Sequence, residues 1–149
     1  MELSFPSDFF AFLKLLNEHQ VEYLLIGGYA VGFHGYPRVT GDMDVWIRRS
    51  ADTAARMIRV FRDFGFVDGV DEELFLRERG IVRLGVLPNR LEVTTHIDGV
   101  DFQECYVRRV EADVKGLRVP LIDLADLRAN KRASGRLKDL LDLENLPEA

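Results

Sequence analysis

At 149 residues with 47% hydrophobic content, the chain can bury one full core and is too short for two ordinary domains, so a single domain over 1–149 is expected. A formal charge of −5 argues against the broad basic surface that grips long nucleic acid by its phosphates, while leaving room for tRNA or a nucleotide. No apolar run approaches bilayer length, Met1-Glu2-Leu3-Ser4 lacks the regions of a signal peptide, and the lone Cys105 permits no internal disulfide, so a cytoplasmic protein with no membrane partner is expected.

Phe5-Pro6-Ser7-Asp8 opens a helix whose apolar residues Phe9, Phe12, Leu13 and Leu16 recur at helical spacing, ending near Asn17. Glu22–Ile26 reads as a short buried strand closed by Gly27-Gly28, and Tyr29–His34 as a short helix stopped by Gly35 and Pro37. Met43–Ile47 is the next strand. Ala51–Phe64 returns to helical spacing through Ala54, Met57, Ile58 and Phe61, and Gly65 stops it. Phe66–Arg79, rich in Asp68, Asp71, Glu72 and Glu73, reads as a turn that accommodates a short helix. Ile81–Leu87 and Leu91–Ile97 form strands joined through Pro88-Asn89-Arg90, and Tyr106–Val114 and Leu117–Leu121 form a second hairpin around Lys115-Gly116. Asp123–Arg132 and Leu137–Leu146 form a helical hairpin around Ser134-Gly135. The expected class is α+β: a mixed sheet with carboxylates on one face, helices packed on the other, and a C-terminal helical hairpin.

Three groups of residues bear on chemistry. Gly27 and Gly28 let a phosphate approach the backbone, and an ordinary turn uses glycine there as well. Asp42-Met43-Asp44 opens an apolar strand, so residues two apart face one side; two like charges held together need a cation, and hard oxygen ligands suit Mg²⁺, with Mn²⁺ as substitute. The alternative is a pair of solvated aspartates in a turn. Leu91–Ile97 alternates, with Glu92, Thr94 and His96 on its polar face, which makes Glu92 the candidate third carboxylate and Asp98 the reserve. Arg38 and Thr40, just before the pair, either steady the loop or touch a phosphate, and Thr40 can hydrogen-bond Asp42 locally.

Lys131 and Arg136 bracket the Ser134-Gly135 turn and can face a triphosphate, while Lys138 and Asp142 have the spacing of a surface ion pair. Arg56, Arg59 and Arg62 read as a solvated helix face, and His34 as satisfying carbonyls at a helix end. His19, His34 and His96 lie far apart without a cysteine pair, which argues against a zinc site.

Gly27-Gly28, the Arg38-x-Thr40-x-Asp42-Met43-Asp44 run, Glu92 and the segment Lys131 to Leu143 together resemble the nucleotidyltransferases of the DNA polymerase β superfamily, within it the small abortive-infection (type IV toxin) group. The resemblance spans most of the chain. It departs at the third carboxylate, usually Asp and here Glu92, one methylene longer. The resemblance implies a Mg²⁺-dependent transferase that moves a nucleoside monophosphate from a nucleoside triphosphate to a hydroxyl of tRNA, a protein or a small molecule. It gives Asp42, Asp44 and Glu92 catalytic and metal roles, and Gly27, Gly28, Arg38, Thr40, Lys131, Arg136 and Asp139 nucleotide-binding roles. It also implies membership of a toxin–antitoxin pair with an antitoxin partner. The reading from another class is a nucleotide-binding or partner-interaction module that keeps the fold without turnover.

Overall fold

The computed structural model describes residues 3–38, 40–85 and 89–149. Six strands, β1 (Tyr23–Ile26), β2 (Asp42–Ile47), β3 (Ile81–Leu84), β4 (Arg90–Thr94), β5 (Val110–Val114) and β6 (Leu117–Leu121), form one mixed sheet in the order β3-β4-β2-β1-β6-β5. β2 runs parallel to β4 and β1 parallel to β6, while the other neighbours are antiparallel. The helices are α1 (Ser7–Glu18), α2 (Gly27–Phe33), α3 (Ala51–Phe64), α4 (Phe102–Val107), α5 (Leu124–Ser134) and α6 (Leu137–Asn145).

The β2–β4 register pairs Met43 with Leu91, Asp44 with Glu92 and Val45 with Val93. Side chains paired this way share a face. Met43, Val45, Leu91 and Val93 enter the core with the buried stripes of α1 (Phe9, Phe12, Leu13, Leu16) and α3 (Ala54, Met57, Val60, Phe61). Phe12 and Phe61 meet edge to face at 6.0 Å, the α1–α3 contact over that core. The carboxylates stand on the opposite face. α3 is held at both ends, because Ser50 Oγ accepts from the Thr53 N–H and Gly65 closes the helix at φ 107°.

Most elements lie where their spacing placed them, with four differences. α2 starts at Gly27 rather than Tyr29, so the glycine pair forms its first turn. β4 ends at Thr94, short of Ile97, because the Thr94 hydroxyl accepts the His96 N–H at 3.3 Å and donates to the His96 carbonyl at 2.8 Å, which turns the chain out of the ladder. Tyr106 and Val107 belong to α4 and not to the expected strand. Asp101 caps that helix by accepting from the Glu104 N–H at 3.1 Å, and the Phe102 and Tyr106 rings stack one turn apart at 5.5 Å, so local capping and packing override β-propensity. β3 ends at Leu84; Val86 and Leu87 of the expected strand Ile81–Leu87, and Pro88 of its connection, lie outside the described residues.

Candidate active site

Asp42 and Asp44 stand two residues apart at the start of β2, and Glu92 faces Asp44 from β4. Gly27 lies beneath them at φ 68°, where a Cβ would run into the Asp44 carboxylate. Gly28 makes a close but looser approach to Thr40, whose hydroxyl would sit 2.6 Å from a Cβ there. The Thr40 hydroxyl donates to the Asp42 carbonyl at 3.1 Å, the local bond expected of it. Both glycines are thus required by side chains that close in on the backbone from the carboxylate loop.

The charges are crowded. Burial pushes the Asp44 carboxyl up to about 7, and the hydrogen bond to Glu92 and the negative charges of Glu92 and Asp42 push the same way. Burial also works to raise Glu92, but the hydrogen bond from Asp44 and the Arg83 and Arg90 guanidinium groups outweigh it and hold Glu92 below the usual range. Asp44 therefore keeps its proton to higher pH than Glu92, which accepts it in the hydrogen bond between them. Arg90 Nη2 lies 2.9 Å from Asp42 and 3.5 Å from Glu92, and Arg83 Nε lies 2.7 Å from Glu92. Asp42 Oδ1 is buried with no hydrogen-bond partner.

These groups line a cavity of about 580 Å³. Its other side is built by the α5–α6 turn and the loop before β2, with Arg38, Lys131, Ser134, Arg136 and Lys138 lining it. Lys131 is buried between Asp139 at 3.2 Å and Asp142 at 3.1 Å, and Arg38 reaches Asp142 at 3.1 Å. Arg136 is 66% exposed and holds Asp139 at 2.7 Å. Burial would raise Asp139, but Arg136 and Lys131 outweigh it and hold it below the usual range. The spacing of Lys138 with Asp142 does not produce the surface pair: Asp142 is buried and taken by Arg38 and Lys131. Lys138 has no ion-pair partner among the described residues, and its charge acts on Asp44.

Asp98 sits in the turn after β4, where it accepts from Ser134 Oγ at 3.3 Å and lies 3.4 Å from His96 Nε2, away from the Asp42–Asp44–Glu92 group yet lining the same cavity. His34 Nε2 meets the Ile122 carbonyl at 2.7 Å, and so fastens α2 to the segment after β6 rather than satisfying its own helix end. His19 pairs with Asp63, and Arg56 with Asp52 and the His19 carbonyl, so these belong to the α1–α3 surface. Among the described residues no group of three or more His, Cys, Asp or Glu side chains is drawn into metal-coordinating proximity. Arg83, Arg90 and Asp142 are functional candidates the sequence reading passed over. Arg90 lies two residues before Glu92, and the same alternation that placed Glu92 on the polar face places Arg90 beside it.

No family model matches the chain, and no curated protein matches it. Solved structures do. The lincosamide antibiotic adenylyltransferase LnuA, solved with lincomycin bound, is similar over 95% of this chain and 95% of its own, at 18% identity and a TM-score of 0.59. A candidate nucleotidyltransferase from Thermotoga maritima matches 91% of this chain and 88% of its own at 15% identity and a TM-score of 0.60. An antigenic nucleotidyltransferase-like protein from Paracoccidioides brasiliensis matches 93% and 72% at 17% identity and a TM-score of 0.53. At these identities the likeness is one of fold: the chain has the nucleotidyltransferase-like α+β architecture.

Proposed function

We propose that this chain, built on the nucleotidyltransferase-like fold, transfers a nucleoside monophosphate from a nucleoside triphosphate to an acceptor hydroxyl and depends on Mg²⁺. The observation that carries the reading is the convergence of Asp42, Asp44 and Glu92 on one sheet face above a glycine that must have no side chain.

Among the described residues the acids are not drawn together around a cation, but the chemistry of the donor set fits a divalent one. Asp42 Oδ1 is buried without a partner, and Asp44 and Glu92 share a proton where two ionised carboxylates would repel. Asp42, Asp44 and Glu92 would hold Mg²⁺ or Mn²⁺. A bound cation of this kind neutralises charge at the α-phosphate and acidifies the acceptor hydroxyl.

The chain's own residues do the rest by position and charge. Gly27 and Gly28 admit the β- and γ-phosphates to the backbone, while Arg38, Lys131, Arg136 and Lys138 neutralise them from across the cavity. Thr40 steadies the loop that carries Asp42, and Asp139 orients Lys131 and Arg136. The acceptor oxygen attacks the α-phosphorus, the new P–O bond forms, and the bond to pyrophosphate breaks as pyrophosphate leaves with the electron pair. Glu92 accepts the hydroxyl proton.

The acceptor is a hydroxyl of tRNA, a protein or a small molecule. The resemblance of the C-terminal segment supports a toxin acting with an antitoxin partner, and the single Cys105 supports a cytoplasmic setting. Among the described residues no helix is long and apolar enough to cross a membrane. Incubating the protein and Mg²⁺ with each labelled triphosphate and cell extract, then identifying the labelled species, tests the reading. Failure to release pyrophosphate with every base and every acceptor tried would sink it.

A second reading has one observation in its favour. Arg90 already lies between Asp42 and Glu92, so the same cavity can hold phosphates as a binding module without turnover. Thermal unfolding separates the two. Turnover requires triphosphate and Mg²⁺ together to stabilise the chain more than either alone, whereas a metal-independent module gains from triphosphate alone.

A further inference from the structure

Helix α6 is amphipathic in the inverted sense: Leu137, Leu140 and Leu141 face solvent, while Asp139 and Asp142 are buried. Carboxylates turned inward are tolerated only where cations meet them. Asp142 Oδ2 lies 3.1 Å from both Lys131 Nζ on α5 and Arg38 Nη2 in the loop before β2. One buried oxygen thus joins three separate parts of the chain. The loop it holds runs through Thr40 directly into Asp42.

The donor inventory shows what this contact leaves over. A guanidinium carries five N–H donors and an ammonium three. Asp142 engages Arg38 through one nitrogen, and Asp139 and Asp142 together occupy two directions of Lys131. Among the described residues neither cation makes another side-chain contact of this kind, and both line the cavity that contains Asp42 and Asp44. With Arg136, the three cations held on this wall outnumber Asp139 and Asp142, the two acids that hold them, and Lys138 beside them has no ion-pair partner among the described residues. A cluster that served packing alone would close its charges; this one turns its surplus toward the cavity.

We propose that Asp142 is a positioning residue for the triphosphate. It fastens Arg38 and Lys131 to one point, so that their remaining donors meet the β- and γ-phosphates while the α-phosphate stands over Asp42 and Asp44. This rests on the nucleotide-site reading above. It extends that reading from the residues that touch nucleotide to the buried group that sets their spacing, and it makes the hairpin and the loop before β2 one binding element.

The test uses the full chain with inorganic tripolyphosphate and Mg²⁺ as the probe, so that the identity of the base does not enter. Asp142→Asn keeps the shape of the side chain and removes its charge. Its affinity by titration calorimetry is expected to fall roughly tenfold or more, with the far-ultraviolet circular dichroism unchanged. Where transfer is measured, KM for the triphosphate rises while kcat stays within about threefold, the split expected of a group that arranges binding and does no chemistry. Asp142→Glu, which restores the charge, recovers most of the affinity. Asp142→Leu is the second variant: it removes the acceptor as well as the charge, its folding is checked by the same circular dichroism, and it carries the same expected loss. A folded Asp142→Asn or Asp142→Leu protein that binds as tightly as wild type overturns the inference. Tighter binding overturns it too, since Asp142 would then compete for the cations. Wild-type protein that fails to bind the probe overturns the nucleotide-site reading itself.

Discussion

Asp44 and Glu92 face each other across the parallel β2–β4 pair and share one proton, with Asp44 raised to about 7 and Glu92 held low. The sharing follows from register, since two residues in line on adjacent strands project into one space. A divalent cation placed there would take over the proton's role.

The pH dependence follows from that proton. Below about pH 4 Asp44 is protonated in the folded and the unfolded chain, so its contribution to stability is fully present; it is lost as pH rises through 7 and a buried acid must ionise. Glu92 has the opposite sign, with a contribution present above the usual carboxylate range and lost only in acid. Between about pH 5 and 7 the Asp44 effect governs this pair, so it lowers the metal-free unfolding midpoint as pH rises and then levels off. Mn²⁺ affinity should rise by up to roughly tenfold per unit toward pH 7 and then level off, because binding displaces the proton. Calorimetry in buffers of different ionisation enthalpy counts it, and no proton release at pH 6 contradicts the shared-proton geometry.

Asp42→Asn and Asp44→Asn should each abolish transfer and leave the fold intact. Asp44→Asn also removes a buried charge next to Glu92, so its melting temperature at pH 8 should rise by about 3 °C or more. An unfolded Asp44→Asn protein would point to a structural role for that carboxylate.

Glu92→Gln should retain triphosphate binding and lose transfer, because an amide can neither carry the charge that holds a cation nor accept a proton. Glu92→Asp should keep or raise activity. Asp98→Asn should have a small effect, since Asp98 is turned toward Ser134 and His96. An active Glu92→Gln enzyme alongside an inactive Asp98→Asn one would move the third carboxylate to Asp98.

The two cations of the hairpin should part company. Arg136 is mostly exposed, so Arg136→Ala raises the apparent triphosphate constant with little change in melting temperature. Lys131→Ala leaves Asp139 and Asp142 short of a buried partner and should also cost stability, about 3 kcal/mol or more. Urea unfolding of both variants checks this; equal stabilities would place Lys131 in a solvated setting.

Gly27→Ala should cut transfer by about a hundredfold or more. The added Cβ meets the Asp44 carboxylate, and the residue already sits at φ 68°, where side chains are strained. Wild-type activity in this variant would mean that Asp44 can move without consequence.

The sequence by itself determined most elements and the carboxylates, because both are written in local periodicity. Alternation put Asp42 and Asp44 on one face and Glu92 on the polar face of its strand, and helical spacing with Gly65 set the bounds of α3. The α4 residues were misread because Tyr106 and Val107 favour strands, and only the Asp101 cap and the packing of Phe102 on Trp46 at 5.1 Å decide for helix. Tertiary structure alone decided which charges meet. Lys138 and Asp142 have the spacing of a helical pair, yet Arg38, 104 positions away in the chain, takes Asp142 with Lys131, and Lys138 is left to act on Asp44. Local spacing fixes which side of a helix or strand a residue occupies; which partner waits on that side depends on how distant segments pack, and a buried acid goes to the cations that packing brings to it.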